Sequence, residues 1–140
     1  MAYTASAPIW RAVVQTLRAD APLRAAVKGG FHEVFSPEPV EIYPLVIYVP
    51  VAAPYEDSWG ERTIVSAVDV TAWDRSQVEA NNLDQSILEQ LDGAELSPDG
   101  QSALICRRIA DIRSVDVDDE GMKVYGVGGS YEIWTSQTSS

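Results

Sequence analysis

Val68-Asp69-Val70-Thr71-Ala72-Trp73-Asp74-Arg75-Ser76-Gln77-Val78-Glu79 passes from one structural period to another within a short span. Val68 and Val70 alternate with Asp69 and Thr71, which places apolar and polar groups on opposite faces of an extended chain and predicts a strand from Arg62 to Trp73. Ser76 and Glu79 then have the capping-box spacing, in which each side chain satisfies the other's backbone amide. Ala80, Leu83, Ile87, Leu88 and Leu91 continue as one apolar helical face, and Gly93 is placed to end it. A strand running directly into an amphipathic helix sets the expectation of an α+β fold.

Outward toward the C-terminus, Ser97-Pro98-Asp99-Gly100 has the composition of a turn. Ala103 to Val117 predicts a strand, and Asp118-Asp119-Glu120-Gly121 a hairpin turn. Met122 to Trp134 predicts the returning strand, with Tyr125, Val127, Tyr131 and Ile133 in period-2 alternation. Gly126, Gly128 and Gly129 inside it point to strong twist, a bulge or the close approach of another backbone.

Outward toward the N-terminus, Pro44-Leu45-Val46-Ile47-Tyr48-Val49 predicts a strand buried on both faces. Phe31 to Phe35 predicts a short one. Residues 36–44 and 52–61 are loops by their proline, glycine and charge content. Before the first strand lie two helices. The longer one opens near Ser6 and Pro8 and carries Ile9, Val13 and Leu17 on one stripe, widened by Trp10 and Val14, with Arg11, Gln15 and Arg18 opposite. Asp20 caps the second, Ala21 to Lys28, which Gly29-Gly30 ends. The expected fold is therefore α+β: a mostly antiparallel mixed sheet, an N-terminal helical unit, and one long central helix, packed on one face. It forms one domain over 1–140, with an ordered core of about 7–134 and a polar tail, 135–140.

The chain has 140 residues, 46% of them apolar and 22% charged, inside the ordinary globular range. No apolar run approaches the ~18 residues that span a bilayer, so no membrane partner is expected. No basic segment ahead of an apolar stretch opens the sequence, and synthesis and use in a cytoplasm are expected. Net charge is −11 and unevenly spread. Residues 1–28 hold Arg11, Arg18, Arg24 and Lys28 against Asp20, a net of +3, whereas the remainder carries −14. An acidic surface repels phosphate backbones, which disfavours ordinary nucleic-acid binding. Solubility alone accounts for such charge. A sharper reading sets a basic face of one copy against an acidic face of a neighbour.

Chemistry-bearing patterns are sparse. His32 is the one histidine and has no nucleophile motif beside it, so a structural role outweighs a catalytic one. Cys106, the one cysteine, excludes an intrachain disulfide and sits among Leu104, Ile105 and Ile109, where a buried inert thiol is expected. The glycines near 128 lie inside a strand rather than ahead of a helix, so they make no phosphate loop. Asp116, Asp118, Asp119 and Glu120 alternate as in a calcium loop, but the terminal glutamate of its roughly 12-residue frame is missing. A solvated hairpin turn is the favoured reading, and no metal or other cofactor is expected. Trp10 and Trp73 fall at core or half-buried positions, whereas Trp59 in a loop and Trp134 at a strand end suit protein contacts or partial burial equally.

The order of these pieces resembles the tail terminator (tail completion) family of long-tailed, non-contractile bacteriophages. The resemblance is carried by Leu17-Arg18-Ala19-Asp20-Ala21-Pro22-Leu23, Val27-Lys28-Gly29-Gly30, Tyr43-Pro44-Leu45-Val46-Ile47, the Val68–Ser76 stretch, and the helix ending at Asp92-Gly93. Residues 52–61 and 94–102 carry none of it. The resemblance implies a non-enzymatic virion protein of the head-proximal tail, assembled in the host cytoplasm. Copies would form a homohexamer ring that ends tube polymerisation, between the tail tube protein and the head-tail connector or stopper protein. DNA would pass through the lumen without specific binding. Interface expectations are Arg11, Arg18 and Arg24 against a neighbour's acids, with Trp59 as an aromatic anchor. Asp118, Asp119 and Glu120 are expected to face the lumen. Another neck protein, a connector or stopper, remains the alternative, as does a small ligand-binding or enzymatic domain using His32 with a carboxylate.

Overall fold

A computed structural model describes residues 6–34, 42–51, 64–96 and 104–135. The chain runs α1 (Ser6–Ala19), α2 (Ala21–Ala26), β1 (Phe31–Glu33), β2 (Leu45–Val51), β3 (Ile64–Asp74), α3 (Gln77–Leu91), β4 (Glu95–Leu96), β5 (Leu104–Val117) and β6 (Lys123–Thr135). The strands form one six-stranded sheet in the order β1-β2-β3-β6-β5-β4. Only β1 and β2 pair in parallel, and every other neighbouring pair is antiparallel. The expected class, α+β with a mixed, mostly antiparallel sheet, is the one found.

Register explains which side chains meet the helices. Val46 lies opposite Ala72, Tyr48 opposite Val70, Val68 opposite Tyr131, and Cys106 opposite Ile133. All eight are buried, and they form one cluster with Val13, Leu17 and Leu23 of α1 and α2 and Leu83, Ile87 and Leu91 of α3. The apolar stripes at helical spacing therefore close on the alternate residues of the strands, as their periods require. Leu91 is wholly buried, so truncating it to alanine would cost about 2–5 kcal/mol.

Several details differ from the sequence reading. β2 is buried on both faces only at Leu45 and Val46; beyond them Ile47 and Val49 are half-covered on the face away from the helices. The second helix ends at Ala26, not Lys28, because Val27 already caps it through its bond to the Leu23 carbonyl. The chain then reverses so that the Gly29 amide reaches the Pro44 carbonyl at 2.8 Å. A Cβ at Gly29 would overlap the Ile42 carbonyl, which is why glycine stands there. The capping box is half made: Ser76 Oγ accepts from the Glu79 amide at 3.3 Å, but the Ser76 amide donates to Asp74 Oδ2. The short strand β4 has no counterpart in the sequence reading. The turn at 97–100 and the loops at 36–41 and 52–61 lie outside the described residues, as does the side chain of Trp10.

Candidate functional site

Arg108 is the main polar organiser inside the sheet. β5 carries one extra residue, Ile109, between the pairs Arg108–Tyr131 and Ala110–Ser130, and the resulting bulge re-aims the strand. Glycine at 128 and 129 clears space beside it. A Cβ at Gly129 would overlap the Arg108 guanidinium, and one at Gly128 would overlap the Val70 carbonyl. Into that space Arg108 makes a two-pronged contact with Asp84 of α3, Nη1 to Oδ1 and Nη2 to Oδ2, each 3.0 Å. It also donates to the Gly128 carbonyl, meets Asp111 at 3.1 Å and lies over the Tyr131 ring at 5.8 Å. Side-chain exposure is 10% for Arg108 and 12% for Asp84. Burial works against the Arg108 charge, but the bonds to Asp84 and Tyr131 outweigh it and raise its pKa above the ordinary arginine value. Burial also pushes the Tyr131 phenol up. This arrangement fastens α3 to β5 and β6.

A second clasp sits at the β5–β6 turn. Asp118 Oδ1 accepts from the Glu120 and Met122 amides, both at 2.9 Å, and thereby shapes the turn. Its Oδ2 meets Arg75 Nη2 at 2.7 Å, and the same guanidinium reaches Glu120 at 3.0 Å. Arg75 also lies over the Tyr43 ring at 5.4 Å. The Met122 amide, the largest influence, acts together with Arg75 and the Glu120 amide to hold the Asp118 carboxyl below its ordinary pKa, overcoming the opposing effect of burial. The Asp118 bond in turn raises Arg75.

The expected interface residues divide. Arg11, Arg18 and Arg24 are all on the surface of the helical unit. Arg18 donates to the Phe31 carbonyl at 2.9 Å and ties α1 to the β1 edge, and Arg24 donates to the Arg18 carbonyl at 3.0 Å and ties α2 to α1. Trp59 lies outside the described residues. Asp119 and Glu120 are exposed at the turn, whereas the Asp118 side chain is fully covered by its own partners. His32 spends Nε2 on the Gly29 carbonyl at 2.6 Å. Cys106 is wholly buried, and burial raises its thiol to about 12. Trp73 stands over Gly126, where a Cβ would press into the ring.

The Arg108 arrangement escapes a sequence reading because its partners lie far apart along the chain. The signal is an arginine beside apolar residues of a predicted strand, with paired glycines in the strand that follows. Two small depressions flank it between α3 and β5: one is lined by Asp84, Leu88, Arg108 and Gly128, the other by Gln77, Arg113, Val115 and Tyr125. Arg113 lines both and donates to Asn81 Oδ1 at 3.4 Å. No group of three or more metal-ligating side chains gathers among the described residues, and none of their helices is long and apolar enough to cross a membrane.

The profile of the family described as Tail completion protein gp17 matches residues 11–136. The fold also matches a chain in a solved structure described as the virion of a native gene transfer agent (GTA) particle. That likeness has a TM-score of 0.67 and 19% identity, and covers 95% of this chain and 99% of that one. At such identity it speaks for the fold. No curated protein sequence matches. The family match spans most of the chain, and the chain therefore belongs to the tail completion family: it is a structural protein of the phage virion tail.

Proposed function

We propose that this tail completion protein acts without catalysis, as one subunit of a closed ring at the head-proximal end of the tail tube. The ring, six-fold by the resemblance, would end tube growth and present its far side to the head-tail connector. The family match over 11–136 carries this reading. Support also comes from how the reactive side chains are used: His32 bonds a backbone carbonyl, and Cys106 is buried as a neutral thiol. Closed rings form from heterologous contacts, so opposite charges on different parts of one subunit favour closure. Arg11, Arg18 and Arg24 supply one sign at the α1–α2 surface. Acids exposed elsewhere, such as Glu79 and Glu89, supply the other. For the lumen, Asp119 and Glu120 are the stronger candidates, because both are exposed whereas the Asp118 side chain is covered within its own turn. An acidic lumen would let DNA pass, since no phosphate is held and no counterions are released.

The test is negative-stain imaging and native mass spectrometry of the chain with and without tail tubes. A six-fold ring on the tube end is expected. Replacing Arg11, Arg18 and Arg24 together with glutamine should weaken the ring while leaving the circular dichroism spectrum unchanged. A normal ring from that variant at raised salt would overturn the charge-complementarity argument, and a chain that never forms a ring on tubes would overturn the ring itself.

A further inference from the structure

Among the described residues, β5 has a long uncovered main-chain edge. Its outer neighbour β4 pairs only with Leu104 and Ile105, and bonds from Gly93 and Ala94 extend that contact to Cys106. Beyond it, the Arg108 amide is held by Asp92, and from Ile109 to Val117 no described strand lies on that side. The other sheet edge is different, because β1 is three residues long and its Phe31 carbonyl is occupied by Arg18. A long edge of this kind is a template for another strand unless something blocks it. Val115, 63% exposed, does not block it, and the edge closes only at Val117, whose amide donates to Asp116 Oδ1 at 2.8 Å.

The direction of the main-chain groups follows from bonds already made. Cys106 donates to Ala94 and accepts from Gly93, so both of its groups point away from β6. The extra residue at Ile109 shifts the alternation by one. Past the bulge, Asp111, Arg113, Val115 and Val117 therefore point their amides and carbonyls outward. The turn agrees, since the Asp118 amide closes inward on the Met122 carbonyl. An antiparallel partner must bond those outward residues.

The strand's own charges then choose both partner and register. If a second β5 lies antiparallel with Asp111 opposite Arg113, symmetry sets Arg113 opposite Asp111 as well. Ile112 then faces Ile112, and Ala110 faces Ser114. A shift of one repeat in either direction sets Asp111 against Asp111 or Arg113 against Arg113, and like charges directly opposite are unfavourable. We propose that two copies of the chain pair through their β5 edges, antiparallel, with Asp111 of each opposite Arg113 of the other. This contact is isologous, unlike the contact that closes a ring, and it goes beyond the ring reading to the state of the chain before it meets a tail.

The test is sedimentation velocity on the full chain over a dilution series. A dimer is expected, and Arg113→Asp should raise its dissociation constant about tenfold, because two attractive pairs become repulsive. Asp111→Arg should do the same. An equal mixture of the two variants should dimerise again, since one copy then carries only acids at 111 and 113 and the other only arginines. Asp111 also touches Arg108, so Ile112→Cys provides a second measurement that leaves that contact alone. With the native Cys106 buried, oxidation with copper phenanthroline should link the introduced thiols of two copies into covalent dimers. Wild-type chain that sediments as a monomer at its highest soluble concentration would overturn the proposal. A dimer indifferent to Arg113→Asp would overturn the register and with it the proposal. Either result leaves the ring on tubes to be judged by its own experiment.

Discussion

Replacing Arg108 with methionine is the most direct test of what holds α3 on the sheet. Methionine keeps much of the arginine volume and its unbranched stem, so the change is chiefly the loss of charge and donors. Five acceptors lose their partner: both Asp84 oxygens, the Gly128 carbonyl, the Tyr131 hydroxyl and Asp111. Asp111, 74% exposed, is resolvated at little cost. Asp84, 12% exposed, is left as an uncompensated charge against the core. Breaking a buried ion pair in this way costs ~3–5 kcal/mol, and the lower end applies because the pair sits near the rim of the sheet. About 3 kcal/mol corresponds to a fall in Tm of about 10 °C for a chain of this length. In urea it corresponds to a midpoint shift of about 1.5 M if the slope is about 2 kcal/mol/M. Combining Arg108→Met with Asp84→Leu should recover most of the loss, to within ~1 kcal/mol of wild type, since an apolar pair can replace a buried ionic one without penalty. The assay is urea unfolding followed by circular dichroism on wild type, both single variants and the double. A single variant costing less than ~1 kcal/mol, or a double variant costing the sum of the singles, would refute the reasoning.

Two further outcomes follow from the titrating groups. Asp118 should titrate below its ordinary value of 3.8, and Arg75→Met should move it upward while leaving the turn amides in place. Its folded pKa is depressed, so the turn's contribution to stability is present above the unfolded pKa and lost as pH falls through the folded value. Carboxyl NMR across pH 2–5 reads this directly, and an Asp118 midpoint at or above 3.8 in wild type would contradict it. Cys106, raised to about 12, should resist a thiol reagent at pH 8 in the folded chain and react fully in urea. Because its folded pKa lies above the unfolded value of 9.0, the stability carried by the neutral thiol falls between pH 9 and 12. Labelling in native buffer as fast as in urea would show that the thiol is not sequestered.

The sequence made the local elements legible and left the long-range ones hidden. α3 is readable because its cap, its apolar face and its terminating glycine all lie within one short segment. The β5–β6 hairpin is readable because its alternation flanks an acidic turn. What fails needs pairing partners to be known. β4 is two residues whose strand character comes only from lying beside Leu104 and Ile105. Glu79 has the spacing to complete the capping box, but Asp74 arrives first because β3 delivers it there. Asp118 sits with Asp119 and Glu120 in one acidic run, yet its carboxylate points back onto its own turn. The glycines at 126, 128 and 129 do mark close approaches. Which groups approach them, the Trp73 ring and the Arg108 guanidinium among them, is set by strands far away in sequence.

The two proposed contacts occupy opposite ends of one sheet. Arg18 braces the β1 edge, whereas Asp111 and Arg113 lie on the β5 edge, four strand spacings or about 19 Å away along the sheet. Pairing through β5 would therefore leave the basic α1–α2 surface open, and ring contacts through that surface need not disturb Arg113. Mutations so far apart with no shared partner should act independently. The prediction is a crossed pattern: neutralising Arg11, Arg18 and Arg24 impairs rings and spares the dimer, while Arg113→Asp impairs the dimer and spares rings. If Arg113→Asp instead abolishes rings on tubes, the β5 edge is itself a ring contact. Its occupant in the tail would then be a neighbouring subunit in a heterologous arrangement, and the two-fold pairing would have no part in it.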